Sequence, residues 1–454
     1  MDHQNLLDDV KNIHFIGIGG SGICPLAEIL FNKGYDITGS DIYDSETLDR
    51  IRSRGIRVFM GHKKENIKKA QLIVYSAAIN KQNEELIAAK EQGKLAIERS
   101  ILLGLITKKY KNFIAVCGTH GKTTTTSMLT QVFLKCGFDP TAIVGGHLKA
   151  IGGNSVIGKS DIVICEACEY VDTFLQLYPS ISVILNIEAD HLDYFKNIQE
   201  IKRSFKKFAF QTTKLLIVNG DDENVLSCAQ DANLDVVTFG FEESNNYVAK
   251  DFQQEGNGGS FKVYCFGEKI AEISMKVPGK HNAYNALAAI CTAHKLGGSM
   301  RFISQAISEF SGVHRRFEIL KKSNGITIAD DFAHHPTEIK VTLKTASQMG
   351  FKRIIAVFQP HTYSRTYAFL DEFAKVLSLA DRVVLSEILP VREKNTFNIS
   401  SKHLAEKINN CVLFETFEEI SNFVSKEAND GDLVITLGGG DIYKCANMIV
   451  EKIK

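Results

Sequence analysis

Residues 112–128 read NFIAVCGTHGKTTTTSM, an apolar run followed by a glycine-rich turn and a threonine-rich segment. The run Asn112–Cys117 predicts a buried parallel strand, and the segment after the turn predicts a helix. The turn is a compressed form of the standard phosphate-binding loop. Its backbone N–H groups, the Lys122 ammonium and the Thr123 hydroxyl are groups that hold nucleotide phosphates and Mg²⁺. The predicted ATP-binding residues of this turn are Gly118, Thr119, His120, Gly121, Lys122, Thr123 and Thr124.

Acidic residues and a histidine follow two further apolar runs, Asp161–Cys165 and Ser182–Asn186. Because the carboxyl ends of parallel strands meet at one edge of a sheet, we expect these side chains to lie beside the phosphate-binding turn. A carboxylate and an imidazole there would hold Mg²⁺ and screen the charge of the phosphates. The candidate side chains are Glu166, Glu169, Glu188, Asp190 and His191.

Cys165 and Cys168 have the spacing of a metal-binding or redox pair. Such sites need further ligands or a thioredoxin-like context, and this segment has no second pair. We therefore expect the ten cysteines of the chain to be mostly small buried hydrophobic side chains in a reducing cytosol.

A second glycine-rich turn follows the predicted strand Asn12–Ile18 and reads GIGGSG at residues 17–22. With an acidic residue at the end of the next strand, it has the pattern of a dinucleotide-binding site. The pattern requires only diphosphate binding, so NAD, FAD and a UDP-sugar are alternatives, and a turn used for packing alone is another. The predicted substrate-binding residues in this block are Gly17, Gly19, Gly20, Ser21, Gly22, Asp41 and Ser76.

Alternating strand and helix signals divide the chain into three blocks, each expected to contain a parallel α/β sheet. Residues 1–106 should form a Rossmann-like unit, residues 107–312 a P-loop-type unit, and residues 313–454 a second Rossmann-like unit. Residues 236–278 should add a small antiparallel sheet to the central unit. Further strands are predicted at Tyr35–Ser40, Gln71–Ser76, Lys214–Asn219, Ile326–Ala329, Arg353–Phe358, Arg382–Ser386 and Leu433–Leu437.

Charge and composition argue against several classes of protein. Lys plus Arg number 53 and Asp plus Glu number 53, so no overall field draws the chain to nucleic acid or to an anionic membrane. The polar, acidic start lacks the pattern of a signal peptide, and no apolar run reaches the roughly 18 residues of a membrane span. We expect a cytoplasmic protein that binds neither nucleic acid nor membranes.

Three motifs resemble those of the Mur ligases, which build peptidoglycan precursors: GTHGKT at 118–123, NIEADH at 186–191 and GKHNAYNA at 279–286. The resemblance covers essentially the whole chain. Two further stretches are similar to the family member that acts first, which uses L-alanine: DDFAHHPT at 330–337 and FQPHTYSRT at 358–366. A family member that attaches a recycled tripeptide to the same UDP-sugar is the alternative.

The resemblance implies three domains that bind, in chain order, a UDP-sugar, ATP and an amino acid. With ATP and Mg²⁺, such a ligase would phosphorylate the lactyl carboxylate of UDP-N-acetylmuramate, and the amine of L-alanine would displace phosphate from the acyl phosphate. This chemistry needs positioning and charge stabilisation more than a protein nucleophile. We expect a monomer or a weak homodimer.

The resemblance also implies roles for residues at matching positions. The implied catalytic residues are Lys122, Glu169, His191 and His335, and the implied metal ligands are Thr123, Glu169 and His191. The implied further nucleotide contacts are Asn282, Asn285, Arg316, Asp331 and Phe332. His361 and Arg365 would contact the amino acid, since a guanidinium is a planar, bidentate partner for a carboxylate.

The chain departs from the common family pattern at two positions. Phe332 stands where Tyr is common, and Cys168 stands where Asp is common, so a hydroxyl and a carboxylate are missing. Several sister ligases support their second metal with a carbamylated lysine, and the segment Lys202–Lys207 offers no clear equivalent.

Two other classes of protein explain only part of the sequence. An NAD-dependent oxidoreductase would use the turn at 17–22 but leave the turn at 118–123 without a purpose. A non-enzymatic P-loop switch would use ATP but not the histidines and arginine of the third block.

Overall fold

The computed structural model describes residues 6–76, 78–191, 194–391 and 393–453. These residues form three α/β units in chain order, built on sheets of five, ten and six strands. The expected fold class is confirmed, while the domain boundaries stay predictions. No helix within the described ranges is long and apolar enough to cross a membrane.

The N-terminal unit is a parallel sheet with four helices. Its strands are β1 Asn12–Ile16, β2 Asp36–Asp41, β3 Arg57–Met60, β4 Leu72–Tyr75 and β5 Leu95–Glu98. Its helices are α1 Cys24–Asn32, α2 Glu46–Ser53, α3 Glu84–Glu91 and α4 Arg99–Thr107, with a 3-10 helix at Lys64–Ile67. The strand order is β3-β2-β1-β4-β5, so the order reverses at β1 and opens a crevice at the carboxyl edge.

The central unit is a ten-stranded mixed sheet. Its strands are β6 Asn112–Cys117, β7 Thr141–Leu148, β8 Gly153–Val156, β9 Ile162–Glu166, β10 Ile181–Ile184, β11 Leu215–Asn219, β12 Asp235–Gly240, β13 Tyr247–Glu255, β14 Gly258–Cys265 and β15 Glu268–Met275. Its helices are α5 Lys122–Lys135, α6 Ile198–Gln211, α7 Glu223–Ala229, α8 Lys280–Lys295 and α9 Met300–Glu309, with 3-10 helices at Lys149–Ile151 and Tyr170–Gln176. The order β15-β14-β13-β12-β11-β10-β6-β9-β7-β8 places β6 between β10 and β9, which carry the acidic segments.

The predicted antiparallel part of this unit is confirmed as β13, β14 and β15. It is not a separate sheet, because β13 also pairs in parallel with β12 through Phe239 with Tyr247 and Gly240 with Val248. The antiparallel strands therefore extend the central sheet at one end.

The C-terminal unit is a six-stranded sheet in which β16 alone among its described strands is antiparallel. Its strands are β16 Glu318–Ser323, β17 Ile326–Asp331, β18 Arg353–Phe358, β19 Arg382–Leu385, β20 Cys411–Leu413 and β21 Asp432–Leu437, in the order β16-β17-β21-β18-β19-β20. Its helices are α10 Pro336–Ser347, α11 Tyr363–Ala368, α12 Leu370–Leu377, α13 Ser401–Ala405, α14 Phe417–Glu427 and α15 Tyr443–Lys452.

Apolar packing joins the first two units. One continuous buried cluster runs from α1 and α4 to the face of the central sheet that α6 covers. Helix α4 lies so close to the 3-10 helix Tyr170–Gln176 that a Cβ at Gly104 would stand 2.3 Å from the Gln176 carbonyl oxygen. The C-terminal unit has buried clusters of its own on the two faces of its sheet.

We expect Gly104→Ala to destabilise the protein, because the added methyl group meets backbone that cannot move without separating α4 from the central unit. Overpacking of this kind costs about 1–3 kcal/mol. Helix propensity alone predicts the opposite sign, a gain of about 1 kcal/mol. Thermal denaturation of wild type and variant checks the sign, and a variant that melts above wild type would contradict the close packing. Gly104→Ser, with a larger side chain, should melt lower still.

Candidate active site

The turn between β6 and α5 is fixed by the end of the neighbouring strand. Asn186, which follows β10, accepts a hydrogen bond from the His120 backbone N–H at 2.8 Å and donates one to the His120 carbonyl at 3.0 Å. Gly121 has a φ of 83°, and a Cβ there would stand 2.5 Å from the Asn285 Oδ1. The position therefore requires glycine. The N–H groups of the turn stand at the N-terminus of a 14-residue helix, where anions bind favourably.

The Lys122 ammonium lies over this turn. It donates to the carbonyl oxygens of Gly118 and Thr119 at 2.5 and 3.0 Å and pairs with both Glu169 oxygens at 3.1 and 3.0 Å. Burial disfavours the charged form, but the neighbouring Glu169 carboxylate outweighs burial and raises the pKa of Lys122. A permanent cation is thus held where phosphate oxygens can take the place of the carbonyl oxygens as its partners.

A second carboxylate holds the start of α5. Glu166, at the end of β9, accepts hydrogen bonds from the Thr123 hydroxyl at 3.0 Å and from the Gly145 N–H at 2.6 Å. Burial raises the pKa of Glu166. Glu166 therefore links β7, β9 and the phosphate-binding turn.

His191 completes this edge of the sheet. Its Nε2 lies 3.8 Å from a Glu169 oxygen, and its backbone N–H donates to the Asp190 carboxylate at 2.7 Å. Its φ of 54° is unusual for a residue other than glycine, and such strain clusters at functional sites. The structure thus brings the predicted Glu169 and His191 together beside Lys122. Among the described residues, no group of three His, Cys, Asp or Glu side chains is arranged to hold a metal ion.

A cavity of about 220 Å³ lies beside the turn, between the central and C-terminal units. Its walls combine apolar side chains such as Phe239, Val277 and Phe310 with polar ones. Both sheets contribute to it, so the cavity closes only when the two units are together. The predicted nucleotide-binding residues that line it are His120, Gly121, Thr124, Asn282, Asn285, Arg316 and Asp331.

Two asparagines on α8 are fixed within the wall of this cavity. Asn282 donates to the Pro278 carbonyl at 2.7 Å, and Asn285 donates to the Asn282 Oδ1 at 3.2 Å. Asn285 also accepts from the Thr125 hydroxyl at 3.2 Å, which ties α8 to α5. Burial raises the pKa of Asp331, on the opposite wall, to about 6.

Phe332 lies outside the lining of this cavity. Its ring is 5.0 Å from the Arg315 guanidinium and 5.2 Å from that of Arg316. Arg315, which the sequence analysis missed, has a φ of 61° and binds Asp330 and two carbonyl oxygens of the segment 438–440 at 2.8 to 2.9 Å. The adenine contact expected of Phe332 stays a prediction.

The central and C-terminal units meet through an ionic cluster around His120. Its Nδ1 lies 3.2 Å from a Glu338 oxygen, its Nε2 lies 3.7 Å from Glu188, and the Thr337 hydroxyl donates to Glu188 at 2.9 Å. Burial disfavours the imidazolium, but the two carboxylates outweigh burial and raise the pKa of His120 to about 9. Glu338 was not predicted as a site residue. It lies three residues after the N-cap His335, where a glutamate is typical of helix capping.

A larger cavity, of about 720 Å³, also lies between the central and C-terminal units. It is lined by Asp190 and His191 from the central unit and by His334, His361 and Arg365 from the C-terminal unit. The Arg365 guanidinium lies 3.4 Å from an Asp190 oxygen and 3.3 Å from the His361 Nδ1. Burial opposes ionisation of Asp190, yet His191 and Arg365 lower its pKa to about 2.

Burial favours the neutral form of three histidines of the C-terminal unit. Burial lowers the pKa of His335 and of His361 to about 4 and also lowers that of His334. The His335 Nδ1 accepts from the Thr337 N–H at 3.3 Å, so Nε2 carries the proton, and this buried atom has no hydrogen-bond partner among the described residues. The His334 Nδ1 donates to the Phe332 carbonyl at 2.9 Å, which leaves Nε2 as an acceptor.

The N-terminal glycine-rich turn lies at the crevice between β1 and β4. Gly17 has a φ of 75°, and the Gly19 N–H donates to the Asp41 carboxylate at 2.9 Å. The Ser76 hydroxyl, at the end of β4, accepts from the Ala78 N–H at 3.3 Å. The predicted substrate-binding residues of this unit therefore meet at one edge of its sheet.

All ten cysteines are free. Cys165 is buried and Cys168 half-buried, and burial raises the pKa of both thiols. The expectation of structural thiols agrees with this arrangement.

Each of the three units matches a model of the Mur ligase family. The Mur ligase family, catalytic domain matches residues 12–111, the Mur ligase middle domain matches residues 116–293, and the Mur ligase, glutamate ligase domain matches residues 315–440.

Individual relatives extend over the whole chain. The UDP-N-acetylmuramate--L-alanine ligase of Acetivibrio thermocellus is 46% identical over an alignment of 465 positions, which covers 99% of this chain and 98% of the relative. The crystal structure of UDP-N-acetylmuramate-alanine ligase from Thermotoga maritima has a TM-score of 0.82 at 30% identity, covering 97% of this chain and 98% of that one. The murein peptide ligase structure from Psychrobacter arcticus has a TM-score of 0.73 at 23% identity, covering 98% of both chains, and shares the fold.

We expect the His120 cluster to make stability depend on pH. The pKa of His120 is raised from 6.5 to about 9, so its contribution is fully present below pH 6.5 and is lost as pH rises through about 9. The shift corresponds to about 3 kcal/mol at most. Urea denaturation of wild type and His120→Asn at pH 6.5 and above pH 9 measures this contribution. The free energy of unfolding of wild type should exceed that of the variant at pH 6.5, and the difference should disappear at the higher pH.

His314→Asn is the control, because His314 pairs with a glutamate at the surface, where half of its side chain is exposed. It removes an imidazole and a surface ion pair but leaves the groups of the His120 cluster in place. If the difference in free energy of unfolding between wild type and His120→Asn stays constant with pH, the ionic cluster does not hold the units together.

Proposed function

The chain belongs to the Mur ligase family, whose members are ATP-dependent, and from this premise we propose that it joins L-alanine to the lactyl carboxylate of UDP-N-acetylmuramate in peptidoglycan synthesis. The observation that carries the assignment is the whole-length identity to the alanine-adding relatives, which exceeds that to the murein peptide ligase. The three-unit site supplies places for the three substrates.

ATP would occupy the turn and the 220 Å³ cavity. The N–H groups of the turn and the Lys122 ammonium would bind the phosphates, while Asn282, Asn285 and the apolar walls would enclose the nucleoside. Arg316 and Asp331 reach this cavity from the C-terminal side. Closure of the two units would therefore exclude water from the triphosphate.

The residues at this edge fit Mg²⁺. The Thr123 hydroxyl and the Glu169 carboxylate are hard oxygen donors, and the Lys122 ammonium bound to both Glu169 oxygens shows that this carboxylate attracts a cation. Thr123 and Glu169 would hold one ion, and His191 would help to hold a second. When bound, Mg²⁺ supplies positive charge that offsets repulsion between the phosphoryl oxygens and an incoming carboxylate.

The first chemical step is attack of a lactyl carboxylate oxygen on the γ-phosphorus of ATP, which forms the acyl phosphate and releases ADP. Lys122 would exchange its backbone carbonyl partners for phosphate oxygens and stabilise the charge that develops there. The His335 Nε2–H, buried and without a partner among the described residues, would donate to a phosphoryl oxygen. Catalysis at this step rests on positioning and charge.

L-Alanine would bind in the 720 Å³ cavity. The Arg365 guanidinium offers a planar fork to its carboxylate, and the His361 Nδ1, which faces Arg365, leaves the proton of that ring on Nε2 for a second hydrogen bond. The α-amine would then point toward His191 and His334, which line the same cavity.

The amine must lose a proton before it attacks the acyl phosphate. His334 is suited to take it, since its Nδ1–H is committed to the Phe332 carbonyl and its Nε2 lone pair is free in a neutral ring. The neutral amine then attacks the acyl carbon. As the tetrahedral intermediate collapses, the nitrogen loses a second proton, which the departing phosphate carries away, and the amide remains. His334 is therefore the proposed general base.

The first test is phosphate release from ATP, Mg²⁺ and UDP-N-acetylmuramate with and without L-alanine. We expect release to require L-alanine, and Lys122→Ala to lower kcat by at least about 100-fold, since removing a preorganised charge at a phosphoryl group has effects of this size. Lys135→Ala, at the other end of α5, is the matched control, because Lys135 pairs at the surface with Glu309.

The same assay distinguishes the alanine-adding ligase from the alternative, the ligase that attaches a recycled tripeptide. Turnover with the free tripeptide L-alanyl-γ-D-glutamyl-meso-diaminopimelate but not with L-alanine would move the assignment to the recycling ligase. Phosphate release that needs neither acceptor would argue against both.

The role of His334 has its own test. His334→Asn keeps a donor near the Phe332 carbonyl but removes the Nε2 lone pair, and we expect kcat with L-alanine to fall about 100- to 10,000-fold, as for loss of a general base. Hydroxylamine, which is largely unprotonated at pH 7, needs no base. The variant should therefore form the acyl hydroxamate at the wild-type rate.

Equal losses with L-alanine and hydroxylamine would mean that His334 acts on formation of the acyl phosphate or on folding. His403→Asn, at an exposed helix start in the same unit, controls for loss of an imidazole there.

A further inference from the structure

The 720 Å³ cavity has one wall to which the proposed function gives no role. The chain after β19 contributes Val391, Glu393 and Phe397 to its lining. Among the described residues of that lining, the carboxylates are Asp190 and Glu393. Asp190 pairs with Arg365, whereas Glu393 has a different partner.

Glu393 uses both of its carboxylate oxygens to hold Ser364. Its Oε2 accepts the Ser364 backbone N–H at 2.8 Å, and its Oε1 accepts the Ser364 hydroxyl at 2.6 Å. Both residues are half-buried, and hydrogen bonds to a charged group are stronger than neutral ones where water is partly excluded. This pair of hydrogen bonds, the Glu393 clamp, ties the chain after β19 to the first turn of α11.

The clamp lies where the backbone is strained. Thr362, directly before α11, has a φ of 67° and a ψ of 151°, a conformation that glycine adopts and other residues avoid. Such strain persists only where the surrounding structure over-determines it. The Thr362 N–H donates to the Leu389 carbonyl at 3.2 Å, and the Thr366 hydroxyl donates to the Thr362 carbonyl at 2.7 Å. The clamp adds two charge-assisted bonds to those that hold this sharp turn.

Arg365 follows Ser364 directly, so the clamp fixes the point from which its side chain extends. The guanidinium lies 3.3 Å from the His361 Nδ1 and 3.4 Å from an Asp190 oxygen. Charge-assisted hydrogen bonds are normally about 2.7–2.9 Å long, so these two contacts hold the guanidinium weakly. Its position in the cavity therefore depends on the backbone that Glu393 holds.

Helix capping alone does not account for the clamp. In α14 the N–H and hydroxyl of Thr416 donate to Glu419 at 3.0 and 2.8 Å, a local and exposed capping arrangement. Helix α11 has a local cap of its own, since the Thr362 hydroxyl accepts the Arg365 N–H at 3.4 Å. Glu393 comes from another segment, is half-buried and lines the cavity.

We propose that Glu393 is a positioning residue for the amino-acid substrate, which acts through Ser364 to hold the Arg365 guanidinium in the cavity. This inference rests on the proposed function and adds a residue that the sequence motifs did not indicate. In this role Glu393 supports binding of the amino-acid carboxylate and takes no part in forming the acyl phosphate. Its loss should therefore weaken one substrate of the three.

Steady-state kinetics of Glu393→Gln test this role. The amide keeps the size of the side chain but loses the charge, and its NH2 group faces one of the two Ser364 donors. We expect the KM of L-alanine to rise about 10-fold, as for loss of a charge-assisted hydrogen bond, while kcat and the KM of ATP stay near their wild-type values. Hydroxylamine has no carboxylate, so the variant should form the acyl hydroxamate at the wild-type rate.

Arg365→Lys provides the background that shows how Glu393 acts. Lysine lacks the planar fork and should itself raise the KM of L-alanine. Adding Glu393→Gln should then change that KM little, because no guanidinium is left to position. An equal rise in both backgrounds would mean that Glu393 contacts the amino acid directly and would overturn the positioning role.

Glu419→Gln is the matched control, because it removes a carboxylate that holds the same two kinds of donor at an exposed helix start in the same unit. It should leave the KM of L-alanine unchanged. A lower melting temperature of Glu393→Gln with an unchanged KM would overturn the proposal and leave Glu393 as a capping residue. If that variant does not fold, Ser364→Ala gives the same test, with a smaller rise in KM expected because one of the two donors remains.

The wild-type protein separates this proposal from the proposed function. If wild type forms the acyl hydroxamate but does not use L-alanine, the proposed function fails rather than the role of Glu393. The KM of the amino-acid or peptide acceptor that wild type does use, measured in Glu393→Gln, then decides whether the clamp positions Arg365.

Discussion

The hydrogen bonds between the ends of β6 and β10 are the constraint on which the rest of the site depends. The Asn186 side chain binds both backbone groups of His120, the Asn186 carbonyl accepts the Thr119 N–H at 3.0 Å, and the Thr119 hydroxyl accepts the Glu188 N–H at 2.9 Å. These bonds hold the turn in the left-handed conformation that only glycine adopts easily. Without them α5 would begin elsewhere, and the Lys122 ammonium would not meet Glu169.

Three cations of the site are already paired with carboxylates. Lys122 pairs with Glu169, His120 with Glu338, and Arg365 with Asp190. Buried charges without partners are costly, so these pairs keep the site folded before any anionic substrate arrives. On the proposed function, a triphosphate or a carboxylate would bind by exchange of partners, which would lower the net gain in affinity but leave the cations in place for the transition state.

The sequence predicted the strands and turns that carry strong local signals, and it missed contacts made across units. The apolar strands of all three sheets and the turns at 17–22 and 118–123 follow from periodicity and glycine spacing. The short strands β3, β5 and β20 carry weak patterns, and β7 and β8 have glycines within them. Glu338 and Arg315 could not be found locally, because their partners lie 218 and 123 residues away.

The two interfaces of the central unit differ in kind. The N-terminal unit shares one apolar core with the central sheet, so separating the two would expose buried hydrocarbon. The C-terminal unit keeps its own cores and meets the central unit through His120, Glu188 and Arg365, whose polar partners water can replace. Separation there costs less, because ionic groups regain hydration as they part. We therefore expect any separation of units to occur at this interface, and closure there would bring Asp331, His334 and Arg365 toward the substrates of the proposed function.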